Sequence, residues 1–64
     1  MNLYKSYRVL GIKGTEDTSL IKRAFIKVAQ KYHPDKNLND SKSVEKFIDA
    51  RIAYENILNH RNKQ

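Results

Sequence analysis

The 64-residue chain has no cysteine and no tryptophan, a single proline, two glycines, and only 7 acidic residues against 13 basic ones. Without cysteine there is no disulfide framework, no thiolate nucleophile and no cysteine-bound zinc, the devices on which very small domains often rely. A metal would need His and carboxylate ligands, and the grouping His33, Asp35 and Asp40 offers no further ligand to complete a site. Neither a metal nor a cofactor is expected. No apolar run approaches the ~18 residues of a membrane span. The stretch from Met1 to Arg8 also lacks the apolar centre of a signal peptide. The chain is therefore expected to be soluble and, carrying no visible address, cytoplasmic by default. Its length admits one domain, which at this size buries only roughly 60% of the unfolded chain's surface. Packing alone must stabilise it.

The material for that packing is 39% hydrophobic residues, with Phe25, Phe47 and four tyrosines among them, more aromatic content than a disordered tail carries. A first helix is predicted over 3–10, capped by Asn2 or Ser6 and ended by Gly11. Polar residues 13–19 form a loop, with Asp17 or Thr18 as the next cap. Ile21, Ala24, Phe25, Val28 and Tyr32 then recur at helical spacing, which predicts a second helix over 18–32. Pro34 stops it, because proline disfavours the α conformation at the preceding residue and brings no N–H. The segment 33–40 has no periodicity and reads as a loop. Val44, Phe47, Ala50 or Arg51, Tyr54, Ile57 and Leu58 share one face of a third helix over 41–58, begun by Asp40 or Ser41, and the polar tail 59–64 is expected to fray. The predicted fold is a monomeric all-α domain, an antiparallel hairpin of the two long helices with the short first helix lying across it.

The net charge of +6 is not spread evenly. Between Ser19 and Pro34 stand Lys22, Arg23, Lys27 and Lys31 and no acidic residue, all turned away from Ile21 and Val28 on the helical wheel. The third helix mixes Lys42, Lys46 and Arg51 with Glu45, Asp49 and Glu55, an ordinary solvated surface. A one-sign face suggests an acidic partner. Ile26 interrupts that face; a single exposed isoleucine is ordinary, but within a docking surface it would supply an apolar contact.

At the end of the basic helix comes Lys31-Tyr32-His33-Pro34-Asp35-Lys36-Asn37, preceded by Tyr7-Arg8-Val9-Leu10-Gly11-Ile12 and followed by Lys46-Phe47 and Ala53-Tyr54-Glu55-Asn56-Ile57-Leu58. His-Pro-Asp alone is a weak signal, and by itself a turn role for Asp35 and a helix-end role for His33 explain it better than a functional one. In this context the chain resembles the J domain, the module of DnaJ-like co-chaperones, over nearly its whole length. The resemblance implies a non-enzymatic co-chaperone that docks on the ATP-bound form of a DnaK-type, seventy-kilodalton heat-shock chaperone, stimulates its ATP hydrolysis and so promotes client capture. It implies that Lys22, Arg23, Ile26, Lys27 and Lys31, with Phe25 beside them, form the docking face, and that His33, Pro34, Asp35 and Asn37 belong to the trigger loop. Three features depart from the family pattern. Phe25 stands where tyrosine is frequent, Ile26 and Ile48 stand where basic residues are common, and the family's fourth helix has no counterpart before Gln64.

The alternative from another class is a small basic helical nucleic-acid-binding domain. It is disfavoured because the basic helix carries no Asn and only Gln30 as an amide for reading bases. An enzyme is disfavoured because His33 and Asp35 have no nucleophile beside them and lie on a loop rather than in a pocket.

Overall fold

The structure is a computed structural model that describes residues 1–36 and 40–62. It contains three helices, α1 (Leu3–Leu10), α2 (Thr18–Tyr32) and α3 (Ser41–Asn62), and no strand among the described residues. Each helix begins where a short polar side chain takes up an orphan amide. Asn2 Oδ1 accepts from the Lys5 amide at 2.7 Å, Asp17 Oδ1 from Leu20 at 2.9 Å, and Asp40 Oδ1 from Lys42 and Ser43 at 3.0 and 3.3 Å. α1 ends in a Schellman motif. Gly11 sits at φ +70°, its amide bonded to the Arg8 carbonyl, while the Ile12 amide bonds to Tyr7. α2 ends as expected at Pro34, with His33 already extended at ψ 133°.

Two expectations are corrected. Ser6 does not cap α1; it is fully buried, donating its hydroxyl to the Asn2 carbonyl and accepting from Asn56 Nδ2, each at 2.9 Å. The same Asn56 amide donates to the Met1 carbonyl, so one polar clasp ties the N-terminus to α3. The third helix does not stop at Leu58 but runs one turn further to Asn62, so residues 59–62 of the expected tail are helical. Polarity marked this stretch as tail, yet neither glycine nor proline follows Leu58. Arg61 Nη2 anchors the added turn by donating to the Gly14 carbonyl at 3.3 Å.

The α1–α2 turn is held from inside. Glu16 spreads its carboxylate over the Lys13 and Gly14 amides, both at 2.8 Å. Gly14, at φ +103°, lies against Tyr7 so closely that a Cβ would come within 2.8 Å of the ring. The interior that results is small. Leu10, Ile21, Ala50, Ala53 and Ile57 form it, with Tyr7, Phe25, Val28 and Tyr54 among the half-buried residues packed around them. Phe25 and Tyr54 stack at 4.5 Å between centroids across the α2–α3 seam. α1 packs chiefly on α3 and touches α2 only lightly. No described helix is long and apolar enough to cross a membrane.

Two isoleucines on α3 separate burial from propensity. Ile57 is fully buried and Ile52 is 44% exposed. Ile57→Ala should destabilise the domain by about 2 to 5 kcal/mol, and Ile52→Ala by no more than about 0.5 kcal/mol. Urea unfolding measures both, and equal losses would mean that the buried stripe has been placed on the wrong side of α3.

Candidate docking site

The site is built on α2 and the turn that ends it. With Ile21 fully buried, the helical period turns Lys22, Arg23, Ile26, Lys27 and Lys31 outward, and all five are exposed. No carboxylate lies within α2, so nothing on the helix itself offsets the four cations. Phe25, on the border of this face, has one side of its ring taken up by Tyr54.

Beyond Tyr32 the chain folds into a β-turn from His33 to Lys36, closed by the Lys36 amide on the His33 carbonyl at 3.0 Å. Pro34 takes the second position, which its fixed φ suits. The described non-glycine residues all have negative φ, so this is a type I rather than a type II turn. The Asp35 amide donates to His33 Nδ1 at 3.1 Å. The Asp35 carboxylate remains 89% exposed, 3.7 Å from His33 Nδ1. His33, Pro34 and Asp35 thus form one rigid corner with an outward carboxylate. Asn37 lies outside the described residues.

α3 braces the corner in ways that periodicity along a single helix does not reveal. The edge of His33 meets Phe47 at 5.5 Å and 76°. Phe47 is therefore a support for the turn, half-buried at its side, rather than a central seam residue. Lys46 reaches across to Tyr32, where its ammonium stands 5.0 Å from the ring centroid, with Lys31 at 5.4 Å on the same ring. Desolvation raises the Tyr32 phenol's pKa, but Lys31 and Lys46 outweigh it and hold the group below its ordinary value of 10.0. Lys46 therefore extends the positive field of α2 to the loop, although the charges of α3 sum to little.

Among the described residues no cluster of three His, Asp or Glu side chains is positioned to hold a metal ion. The arrangement presents charge and a shaped edge, with no nucleophile among the residues of the corner.

Residues 5–64 match the family model of the DnaJ domain. Similar curated proteins include the Chaperone protein DnaJ of Psychrobacter arcticus, 47% identical over 49 residues, which is 77% of this chain and 13% of that protein. The Chaperone protein DnaJ of Nitrosomonas europaea is 45% identical over 58 residues, 91% of this chain and 15% of its own length. That of Campylobacter hominis is 41% identical over 58 residues, 91% of this chain and 16% of that protein. The chain thus spans less than a fifth of the length of these relatives. No solved structure matches it.

The far end of the loop is fixed by Asp40, whose carboxylate accepts from the Ser43 hydroxyl at 2.9 Å as well as from two amides. The Ser43 hydroxyl and amide hold its pKa below the ordinary value of 3.8. A depressed carboxylate stabilises the fold fully above its ordinary value and loses that contribution as pH falls through the lowered one. Asparagine caps about as well as aspartate but does not titrate. Asp40→Asn should therefore melt close to the unmodified protein at pH 7 and lose less melting temperature on acidification below pH ~4. Thermal melts at the two pH values measure this, and identical acid losses in both proteins would remove the Asp40 carboxylate as a source of acid sensitivity.

Proposed function

The chain belongs to the DnaJ domain family, and from that membership we propose that it docks on a DnaK-type chaperone in its ATP-bound form and stimulates ATP hydrolysis there, promoting client capture. One observation carries the proposal: an exposed carboxylate, Asp35, stands on a proline-stiffened turn at the end of a helix whose outward charges are all positive.

Each part has a physical task. Lys22, Arg23, Lys27 and Lys31 face an acidic surface, raising the encounter rate and fixing orientation more than they add affinity, which suits a regulator that must leave again. Orientation matters because the trigger is a single carboxylate. Pro34 and the two hydrogen bonds of the turn hold Asp35 in place before contact, so little conformational entropy is lost on docking. Asp35 then pairs with a basic group of the chaperone, best an arginine, whose fork binds a carboxylate in two parallel hydrogen bonds. His33 braces the Asp35 amide through Nδ1 and leans on Phe47, so its role is to position the aspartate. The bond broken in ATP belongs to the chaperone, and this domain shifts the chaperone between states that differ in hydrolysis rate.

Asp35→Asn removes the charge and keeps the turn. It should leave the melting temperature nearly unchanged and abolish most stimulation in a single-turnover ATPase assay. Full stimulation by Asp35→Asn would overturn the trigger assignment. Binding of the unmodified chain should weaken as salt rises to physiological strength, where the Debye length is about 8 Å. Titration at two ionic strengths checks this, and equal affinities would remove the basic face from the docking reaction.

A further inference from the structure

α1 packs Leu3, Tyr7 and Leu10 against the interior, so Tyr4, Lys5 and Arg8 make up its outward face. Tyr4 is 69% exposed, and the Arg8 guanidinium stands 5.8 Å from the centroid of its ring. Together with Asn2 and Val9 these three residues line a hollow of about 480 Å3. Val9 also lines a second hollow, of about 350 Å3, so the two adjoin, and in the second Lys31 and Lys46 stand over the Tyr32 ring. Asp49 is the one carboxylate among the described residues lining the pair, against four cations drawn from all three helices. Residues 1–15 contain no acidic residue at all.

A single exposed tyrosine is ordinary, but one lying under an arginine at the end of a cationic track restricts what fits. A membrane surface does not suit it, because the apolar side of α1 is packed inside and nothing but Tyr4 remains to insert. A chain of carboxylates would satisfy the cations and leave the Tyr4 ring in water. Single-stranded nucleic acid satisfies both, since each nucleotide carries a phosphate and a flat base with a π face. In a duplex the bases are stacked on one another and cannot reach the ring.

We propose that the outward face of α1 and the adjoining hollow at Lys46 bind single-stranded nucleic acid without regard to its sequence. A base stacks on Tyr4, Arg8 and Lys5 meet the flanking phosphates, and the strand runs past Val9 toward Lys46 and Lys31. No base edge is read, so sequence matters little. Tyr4, Lys5 and Arg8 lie outside the docking face assigned above and only Lys31 is common to both, so the inference does not rest on that function.

Fluorescence polarisation of a labelled oligothymidylate of about ten nucleotides, titrated with the domain at fixed low ionic strength, measures the binding. Tyr4→Leu keeps the charge and removes the ring, and should weaken binding about tenfold. Arg8→Gln and Lys22→Gln each remove one positive charge. Lys22 stands at the opposite margin of the outward face of α2 from Lys31 and lines neither hollow. Arg8→Gln should therefore weaken binding about tenfold and Lys22→Gln by less than about threefold. An abasic deoxyribose-phosphate chain of the same length should displace the probe about tenfold less well than unlabelled oligothymidylate. All three substituted residues are exposed, and thermal melts check that each variant is folded. Unchanged affinity for Tyr4→Leu, equal losses from Arg8→Gln and Lys22→Gln, or equal displacement by the abasic chain would overturn the inference, as would absence of binding by the unmodified domain. Each of these outcomes leaves the proposed co-chaperone function standing, which ATPase stimulation tests separately.

Discussion

Close approach along one stripe of α3 is the constraint on which the rest of the structure depends. Ala50 and Ala53 are fully buried with Ile57, and their small side chains let the backbone of α3 come near its neighbours. α3 is the one helix in extensive contact with both others. Larger residues at these two positions would push α1 and α2 outward and open an interior with few other large groups to fill it. An aliphatic core this small leaves work for polar ties, and three stand out among the described residues. The Ser6–Asn56–Met1 clasp joins the N-terminus to α3, the Arg61–Gly14 bond joins the end of α3 to the first turn, and Glu16 closes that turn on itself. A buried hydroxyl without a partner costs about 1 to 3 kcal/mol, so Ser6 is tolerable inside only because it both donates and accepts.

The same helix braces the candidate site. Because α3 lies against α2, Phe47 reaches the edge of His33 and Lys46 reaches Tyr32, just where Pro34 has broken the helical ladder. The His33–Asp35 corner is therefore held from two directions, by its own turn hydrogen bonds and by α3. Stability and the proposed docking fall to different residues. Ile21, Ala50, Ala53 and Ile57 face inward and hold the helices together. Lys22, Arg23, Ile26, Lys27 and Asp35 face outward and are the residues proposed to meet the chaperone, so their substitution is expected to spare the fold.

Much of this was legible in the sequence because each signal was local. Helical spacing from Ile21 to Tyr32 revealed which side of α2 is buried, and hence which side is basic. Pro34 fixed the end of α2, and Asp17 and Asp40 marked helix starts, since a cap acts within three residues of itself. Ile26 was placed on the outer face, and it lies there. What escaped the sequence was contact between residues far apart in the chain. Ser6 looked like a cap because serine usually is one, and only its distant partner Asn56 makes it an interior residue. The last turn of α3 looked like a frayed tail because its anchor, Gly14, is 47 residues away. The bracing of His33 by Phe47 and the placing of Lys46 beside Tyr32 likewise depend on how two helices cross, which the periodicity of neither helix encodes.

The central claim is that the domain meets its chaperone through the outer face of α2 and the corner that follows it. Backbone amide chemical shifts of the 15N-labelled domain, recorded as ATP-loaded DnaK-type chaperone is added, test this most directly. Lys22 through Lys31 and the His33–Lys36 turn should broaden or shift first, while the amides of Ile48, Ile52 and Glu55 on the outer face of α3 hold their positions. Perturbations concentrated on α3, with α2 and the turn silent, would contradict it.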